Sequence, residues 1–237
     1  MNDFSRFIEL NIDKKVITFI GSGGKTSSIF LLANKLKKMG KTVLIATTTK
    51  MYKETNEEYK TILTNKIEKV ANSLNNKIII LGSKIDSKKL IGVDKEFIDH
   101  IKNENIFDFI LVEGDGSRKK TIKAHGEEEP VIPSLTDLVV GVFSIDSLNR
   151  PINDNYVYRS EKFLDIVEKN MNEEIELIDY VKYVNSSNGL FKGCTFFNKA
   201  LLITKVNNKD RINNIVLLEK FLKNTNSLTD FKIYSRG

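Results

Sequence analysis

Short apolar runs rich in β-branched residues punctuate the chain: VITFI at 16–20, TVLIA at 42–46, IIIL at 78–81, FDFILVE at 107–113, LVVGVF at 138–143 and ALLIT at 200–204. Strands that are apolar at nearly every position, rather than at alternate ones, need cover on both faces. Between these runs the hydrophobic period lengthens to that of a helix. Ile29, Leu32, Ala33, Leu36 and Met39 recur at helical spacing within 25–39, and similar patterns follow over 66–74, 94–104 and 208–223. Strand alternating with helix predicts an α/β fold, a mostly parallel sheet with helices on both faces. The stretch 144–199 is the least regular, with helices expected at 160–169 and 175–184. It reads as an irregular insertion, a cap or lobe over the strand ends of one domain spanning 1–237.

Composition narrows the class further. A chain of 237 residues with three prolines buries a substantial core without demanding a second domain, and no Pro-rich linker marks a boundary. Lys and Arg number 37 against 31 Asp and Glu, a net charge of +6, but the lysines are dispersed among glutamates and asparagines on the helical segments. That is the pattern of a solvated surface, so no nucleic-acid partner is expected, whereas small phosphorylated ligands would be attracted. The single cysteine, Cys194, excludes an internal disulfide and any multi-cysteine metal site. The opening MNDFSRFIEL has early acids and no apolar run, and nothing elsewhere approaches ~18 consecutive apolar residues. A cytoplasmic protein without membrane contact is expected.

The chemistry gathers where apolar runs end. In VITFIGSGGKTSSIFLLANKL a buried strand passes through a glycine loop directly into an amphipathic helix, the setting that a phosphate-binding loop requires. The usual loop has a glycine, four residues and then Gly-Lys-Ser/Thr; here the first glycine, Gly21, comes two residues late. The context still favours a nucleotide site over a plain turn. Gly21, Gly23 and Gly24 let backbone N–H groups approach a phosphate, Ser22 and Ser27 flank them, Lys25 reaches the terminal phosphates and the Thr26 hydroxyl sits on Mg²⁺. The compact Gly-x-x-Gly-Lys-Thr/Ser spacing is similar to that of the ATP-dependent Mur ligases.

Two further strand ends add candidates. ATTTKMY places Thr49 and Lys50 beyond the carboxyl edge of the sheet, where open α/β folds bind ligands, although β propensity alone accounts for a threonine run. FDFILVEGDGSRKKTIKAH delivers Glu113 and then Asp115, carboxylates placed to organise Mg²⁺ or to position an attacking water. Arg118 and Lys123 stand by to neutralise phosphate charge. The catalytic set is therefore Lys25, Glu113, Asp115 and Arg118, and the metal set Thr26, Glu113 and Asp115. Thr204-Lys205-Val206-Asn207 looks like a weakened base-reading motif of GTPases, with Lys205 along the base and Asn207 in place of the guanine-reading aspartate; an ordinary strand-to-loop transition explains it equally. His125 lacks partners at metal-ligand spacing, and Glu127–Glu129 read as a solvated turn.

Taken in order, GSGGKTS, VLIATTTKM, VEGDGSRKKTIKAH, EPVIPSLTDLVVGVFSIDSLNRPIND, YRSEKF and GLFKG resemble the YqeC family, selenium-dependent molybdenum hydroxylase accessory or selenium cofactor biosynthesis proteins. The resemblance implies a phosphate-loop NTPase fold, ATP or GTP with Mg²⁺ as cofactors, and a molybdenum hydroxylase or its cofactor as partner. It departs from the family where Tyr158-Arg159 stands in place of a His-Arg pair and Glu128-Glu129-Pro130 in place of His-Glu-Pro, leaving Arg159 and Glu129 as candidates for substrate contacts. Two functions remain open at this level: NTP hydrolysis or phosphoryl transfer in maturing the hydroxylase, and a nucleotide-gated insertion chaperone with little catalysis of its own.

Overall fold

A computed structural model describes residues 2–54, 56, 58–73, 77–225 and 232–237. In chain order the strands are β1 (Asn2–Asp3), β2 (Val16–Gly21), β3 (Val43–Thr47), β4 (Lys50–Tyr52), β5 (Lys60–Leu63), β6 (Ile78–Gly82), β7 (Lys84–Asp86) and β8 (Lys89–Ile91). There follow β9 (Phe109–Glu113), β10 (Ile122–Lys123), β11 (Leu138–Ser144), β12 (Val157–Tyr158), β13 (Lys199–Thr204) and β14 (Lys232–Arg236). The helices are α1 (Phe7–Leu10), α2 (Lys25–Lys38), α3 (Ile67–Ala71), α4 (Lys95–Asn103), α5 (Ser160–Val167), α6 (Leu177–Asn185) and α7 (Lys209–Asn224). No helix among the described residues is long and apolar enough to cross a membrane.

Nine strands form one sheet in the order β1-β14-β13-β11-β2-β9-β3-β6-β5. Every pairing in it is parallel. The continuous apolar runs explain this: alternate side chains of each strand face opposite sides, and both sides are covered. Ile17 and Phe19 of β2, Val43 and Ile45 of β3, and Val140 and Val142 of β11 pack with Phe7 of α1 and with Ile29, Leu32 and Leu36 of α2. The opposite face is divided. Val16, Leu44, Ala46, Ile110 and Val112 pack under Val70 of α3 and Ile98 and Ile101 of α4. Ile20, Val139, Phe143, Leu201 and Ile203 pack under α5, α6 and α7. Between the two patches lies a polar contact, Thr18 Oγ1 to Thr136 Oγ1 at 2.9 Å. The fold is thus a single α/β domain with a parallel sheet and helices on both faces, consistent with a phosphate-loop NTPase.

Each of the six apolar runs is a strand, with boundaries set by local chemistry. The run at 107–113 enters the sheet only at Phe109 because the Asp108 carboxylate accepts the Thr42 N–H at 2.8 Å and the Thr42 hydroxyl at 2.9 Å. The helix expected over 66–74 is the short α3, and position 74 lies outside the described residues. Helices α5 and α6 of the 144–199 stretch lie on the sheet face, while β12 brings Tyr158 to the strand ends. Short edge elements escaped the periodicity: β1, β5, β14, the antiparallel β4-β8-β7 sheet and the β10-β12 pair.

Gly141, inside β11, is where that stretch docks. A Cβ there would sit 2.7 Å from Phe191 Cζ and 2.8 Å from Leu190 Cδ2, so the missing side chain is a notch for these two residues. Gly141→Ala should destabilise the protein by about 1–3 kcal/mol through overpacking, lowering Tm by on the order of 5 °C in calorimetry.

Candidate functional site

β2 is flanked by β9 on one side and β11 on the other, so the loop after it opens between two strand ends. Gly21 cannot carry a side chain: its φ is +92° and a Cβ would meet the Val142 carbonyl at 2.2 Å. Gly24 adopts φ +139° as the residue before α2. The first loop N–H groups turn inward. Gly21 donates to Asp115 Oδ2 at 2.8 Å, Ser22 to the Val142 carbonyl at 2.8 Å and Gly23 to the Lys120 carbonyl at 3.1 Å. Ser22 is buried, its hydroxyl without a partner among the described residues. The N–H groups of the first turn of α2 have no intrahelical acceptor, and there Gly24, Lys25, Thr26 and Ser27 line a cleft of about 600 Å³. The shortened loop therefore offers its helix end to a ligand and ties its strand end into the sheet.

Glu113 is the last residue of β9, in register with Phe19 of β2 and Thr47 of β3. Its Oε2 accepts the Thr26 hydroxyl at 2.6 Å. Asp115 is wholly buried; Oδ1 lies 2.8 Å from Lys25 Nζ, while Oδ2 meets Lys123 Nζ at 3.2 Å and His125 Nδ1 at 3.3 Å. Lys25 Nζ also donates to the Gly21 carbonyl, so the lysine folds back along its own loop. Lys25, Thr26, Glu113 and Asp115, read from separate segments, are thus one constellation.

Burial pushes the Asp115 carboxyl up, but Lys25, Lys123 and the neighbouring His125 ring outweigh it and hold the group well below the ordinary carboxylate range. Burial also pushes Glu113 up, and for this residue it prevails over Lys25 and the Thr26 hydrogen bond, with repulsion from Asp115 adding to it. Neighbouring carboxyls are driven in opposite directions. Cys194 stands apart from this chemistry, its buried thiol pushed up to about 12.

The remaining candidates divide. Arg118 and Lys119 take left-handed conformations, φ +49° and +63°, on the cleft wall, with the Arg118 guanidinium 5.1 Å from the Tyr158 ring centre. Thr47 and Thr48 donate their hydroxyls to the carbonyls of Glu113 and Val131; Thr49 lines the cleft, and its hydroxyl is without a partner among the described residues. Lys50 lies at the cleft rim, 3.9 Å from Asp86. Lys205, at φ +64°, lines the cleft, while the Asn207 side chain accepts from Arg211 within its own turn. Two readings are corrected. Lys123 is fully buried and already neutralised by Asp115 and Glu129, so it is not waiting for a phosphate. Glu129 is not in a solvated turn: its Oε2 joins Lys123 at 2.6 Å and Arg159, and that arginine holds its carboxyl below the usual range against the effect of burial. Residues that the sequence did not single out also line the cleft, among them Tyr52, Asp146 and Arg236. Arg236 follows a short mixed segment with no motif around it.

The opposed shifts of the two carboxyls give opposite expectations. Asp115→Asn leaves Lys25 buried without its anion and should cost about 3 kcal/mol, read as a fall in the urea midpoint. The Asp115 contribution is present above the ordinary carboxylate range and is lost only as pH falls through its depressed folded value. A raised group contributes below its unfolded value and loses that contribution as pH rises through the folded one. Glu113→Gln, which mimics the protonated acid, should therefore gain stability relative to the wild type as pH rises from 4 towards 8 in the same unfolding series.

The family model described as YqeC protein matches residues 17–161, a span that holds the loop, both carboxylates, Arg118 and Arg159. A relative in Escherichia coli (strain K12), named "Uncharacterized protein YqeC", is 33% identical over 189 residues, covering 78% of this chain and 74% of its own. The family match takes in the glycine loop and both strand-end carboxylates, while Lys205 and Arg236 of the cleft lie beyond its last residue. The chain belongs to the YqeC family.

Proposed function

We propose that this protein is a Mg²⁺-dependent nucleoside triphosphatase or phosphotransferase that serves the maturation of selenium-dependent molybdenum hydroxylases. One observation carries the catalytic part: Lys25 and Thr26 stand at the open N-terminus of α2, and the Thr26 hydroxyl bonds directly to Glu113 at the end of the neighbouring strand. A helix N-terminus with a lysine and a hydroxyl opposite a strand-end carboxylate is the arrangement that binds a triphosphate and its cation.

The donor set suits Mg²⁺. The Thr26 hydroxyl and the Glu113 carboxylate are hard oxygen ligands, and Mg²⁺ takes one or two of these with water and phosphate oxygens completing its octahedron. Bound there, it would neutralise the charge that develops on the transferred phosphoryl group. The first-turn N–H groups of α2 orient the phosphates. Lys25, released from Asp115, supplies a cation to them, and Arg118 lines the same cleft. Glu113, its proton affinity raised by burial, is placed to hold the cation or to take a proton from an attacking water. The selenium and hydroxylase part rests on the family resemblance, and the cleft offers phosphate chemistry to that pathway. ATP and GTP both suit the site, with Asn207 where guanine readers carry an aspartate.

Titration calorimetry with ATP and GTP in Mg²⁺ tests the nucleotide reading. Lys25→Ala should weaken binding at least tenfold while circular dichroism is unchanged; equal affinity in the variant would remove the phosphate-loop assignment. Glu113→Gln should lower Mg²⁺-dependent turnover by about 100-fold or more with a much smaller change in nucleotide affinity, because the carboxylate matters most where charge develops. For the pathway, deletion of the gene in its host should reduce molybdenum hydroxylase activity and selenium content when selenium is supplied. Full activity in the deletion strain would refute that assignment and leave the nucleotide reading standing.

A further inference from the structure

Around the cleft, the inward-facing cations come with anions already in place. Lys25 has Asp115, Lys123 has Asp115 and Glu129, and Arg159 has Glu129. Asp146 is engaged too, its Oδ1 2.6 Å from the Arg211 guanidinium. Arg236 breaks the pattern. It closes β14, half-buried, and among the described residues its side chain has no carboxylate within ion-pair distance and its Nε, shut off from solvent, has no hydrogen-bond partner. An arginine stays charged at any ordinary pH, and leaving such a charge desolvated without a counter-ion is costly. A fold tolerates that where a ligand supplies the anion.

Its position says which ligand. Arg236 is in register with Thr204 of β13, and the Thr204 hydroxyl bonds to the Gly23 carbonyl. Together they wall Gly24: a Cβ on that glycine would lie 3.0 Å from Arg236 Nη2 and 3.2 Å from Thr204 Cγ2. The guanidinium thus reaches the phosphate-binding loop from the β13–β14 side, whereas Lys25 turns towards Asp115, which follows β9 on the other side. We propose that Arg236 is a further phosphate-binding cation of this cleft, beside Lys25 and Arg118, its planar fork taking oxygens of the phosphate chain at the Gly24 side of the loop while Lys25 serves the opposite side. This rests on the nucleotide reading above and extends it, assigning the β14 edge of the sheet to the binding of the phosphate chain.

The test uses the full chain with Mg²⁺ and three probes: ATP, GTP and inorganic triphosphate, which has no base or ribose. Arg236→Ala should raise Kd for all three by about 10- to 100-fold, the usual effect of losing charge-assisted hydrogen bonds. Arg236→Lys should restore only part of it. Without ligand, Arg236→Ala should melt at the same temperature as the wild type or higher, since an uncompensated charge is removed, while the stabilisation conferred by triphosphate shrinks. If Arg236→Ala binds all three probes like the wild type while Lys25→Ala does not, Arg236 has no phosphate role and the loop assignment survives. A lower melting temperature with unchanged Kd would make the residue structural and overturn the proposal. A loss confined to ATP or GTP, with triphosphate unaffected, would place the guanidinium on base or ribose and overturn it as well. Failure of the wild type to bind any probe would remove both this inference and the nucleotide reading.

Discussion

Asp115 is sealed from solvent and receives a loop N–H from Gly21, the ammonium groups of Lys25 and Lys123, and a ring nitrogen of His125. A carboxylate in that position must be charged, because a protonated one would leave buried Lys25 without an anion and Lys123 with Glu129 alone. Its charge fixes the geometry of the strand end of the glycine loop, the direction of Lys25 and the path of the chain after β9. Glu113, one pleat away, lives under the opposite regime and is the carboxyl free to change its proton or its partner. The division of labour between the two acids is therefore electrostatic: one is locked as scaffold, the other remains adjustable.

The locked carboxylate also sets a condition for any ligand. On the proposed reading, phosphate would have to attract Lys25 away from, or share it with, an anion already 2.8 Å from it in a medium of low polarity. Affinity would then be a difference between two strong interactions, responsive to the charge state of the ligand. On the proposed nucleotide reading, a ligand with fewer phosphates would compete less well for the lysine, and selectivity by phosphate number would follow from the ion pair that holds Lys25 to Asp115.

The sequence made the centre of the sheet plain and its margins obscure, for physical reasons. Strand β2 and helix α2 are long, apolar and periodic, so their junction, and with it the loop, was legible at once. So was Glu113, because an apolar strand delivers it at the carboxyl edge of the sheet, where open α/β folds bind ligands. Lys123 was misjudged because a lysine in a basic run after a strand end looks available to phosphate; only the fold shows it lying between Asp115 and Glu129. Glu129 was misjudged beside it, being one of three consecutive glutamates of which it alone turns inward to Lys123 and Arg159. Arg236 was invisible for another reason. It lies in KIYSR, a short mixed strand that exists because β13 and β1 pair with it, and pairing partners distant in sequence leave no local periodicity.

The order of strands governs how this protein comes into being. β2 enters the sheet between β9 and β11, so Phe19 awaits Glu113 and Gly21 awaits Val142 before either edge is satisfied. Nearest neighbours along the chain contribute little to closing the central strand. Folding of such a parallel sheet is governed by non-local pairing and is slow relative to a helical protein of equal size, since loop-closure entropy must be overcome before most contacts form. While it emerges from the ribosome, the VITFIG strand therefore stays without a partner until β9 has followed, is fully paired only once β11 has, and is vulnerable to aggregation in the interval.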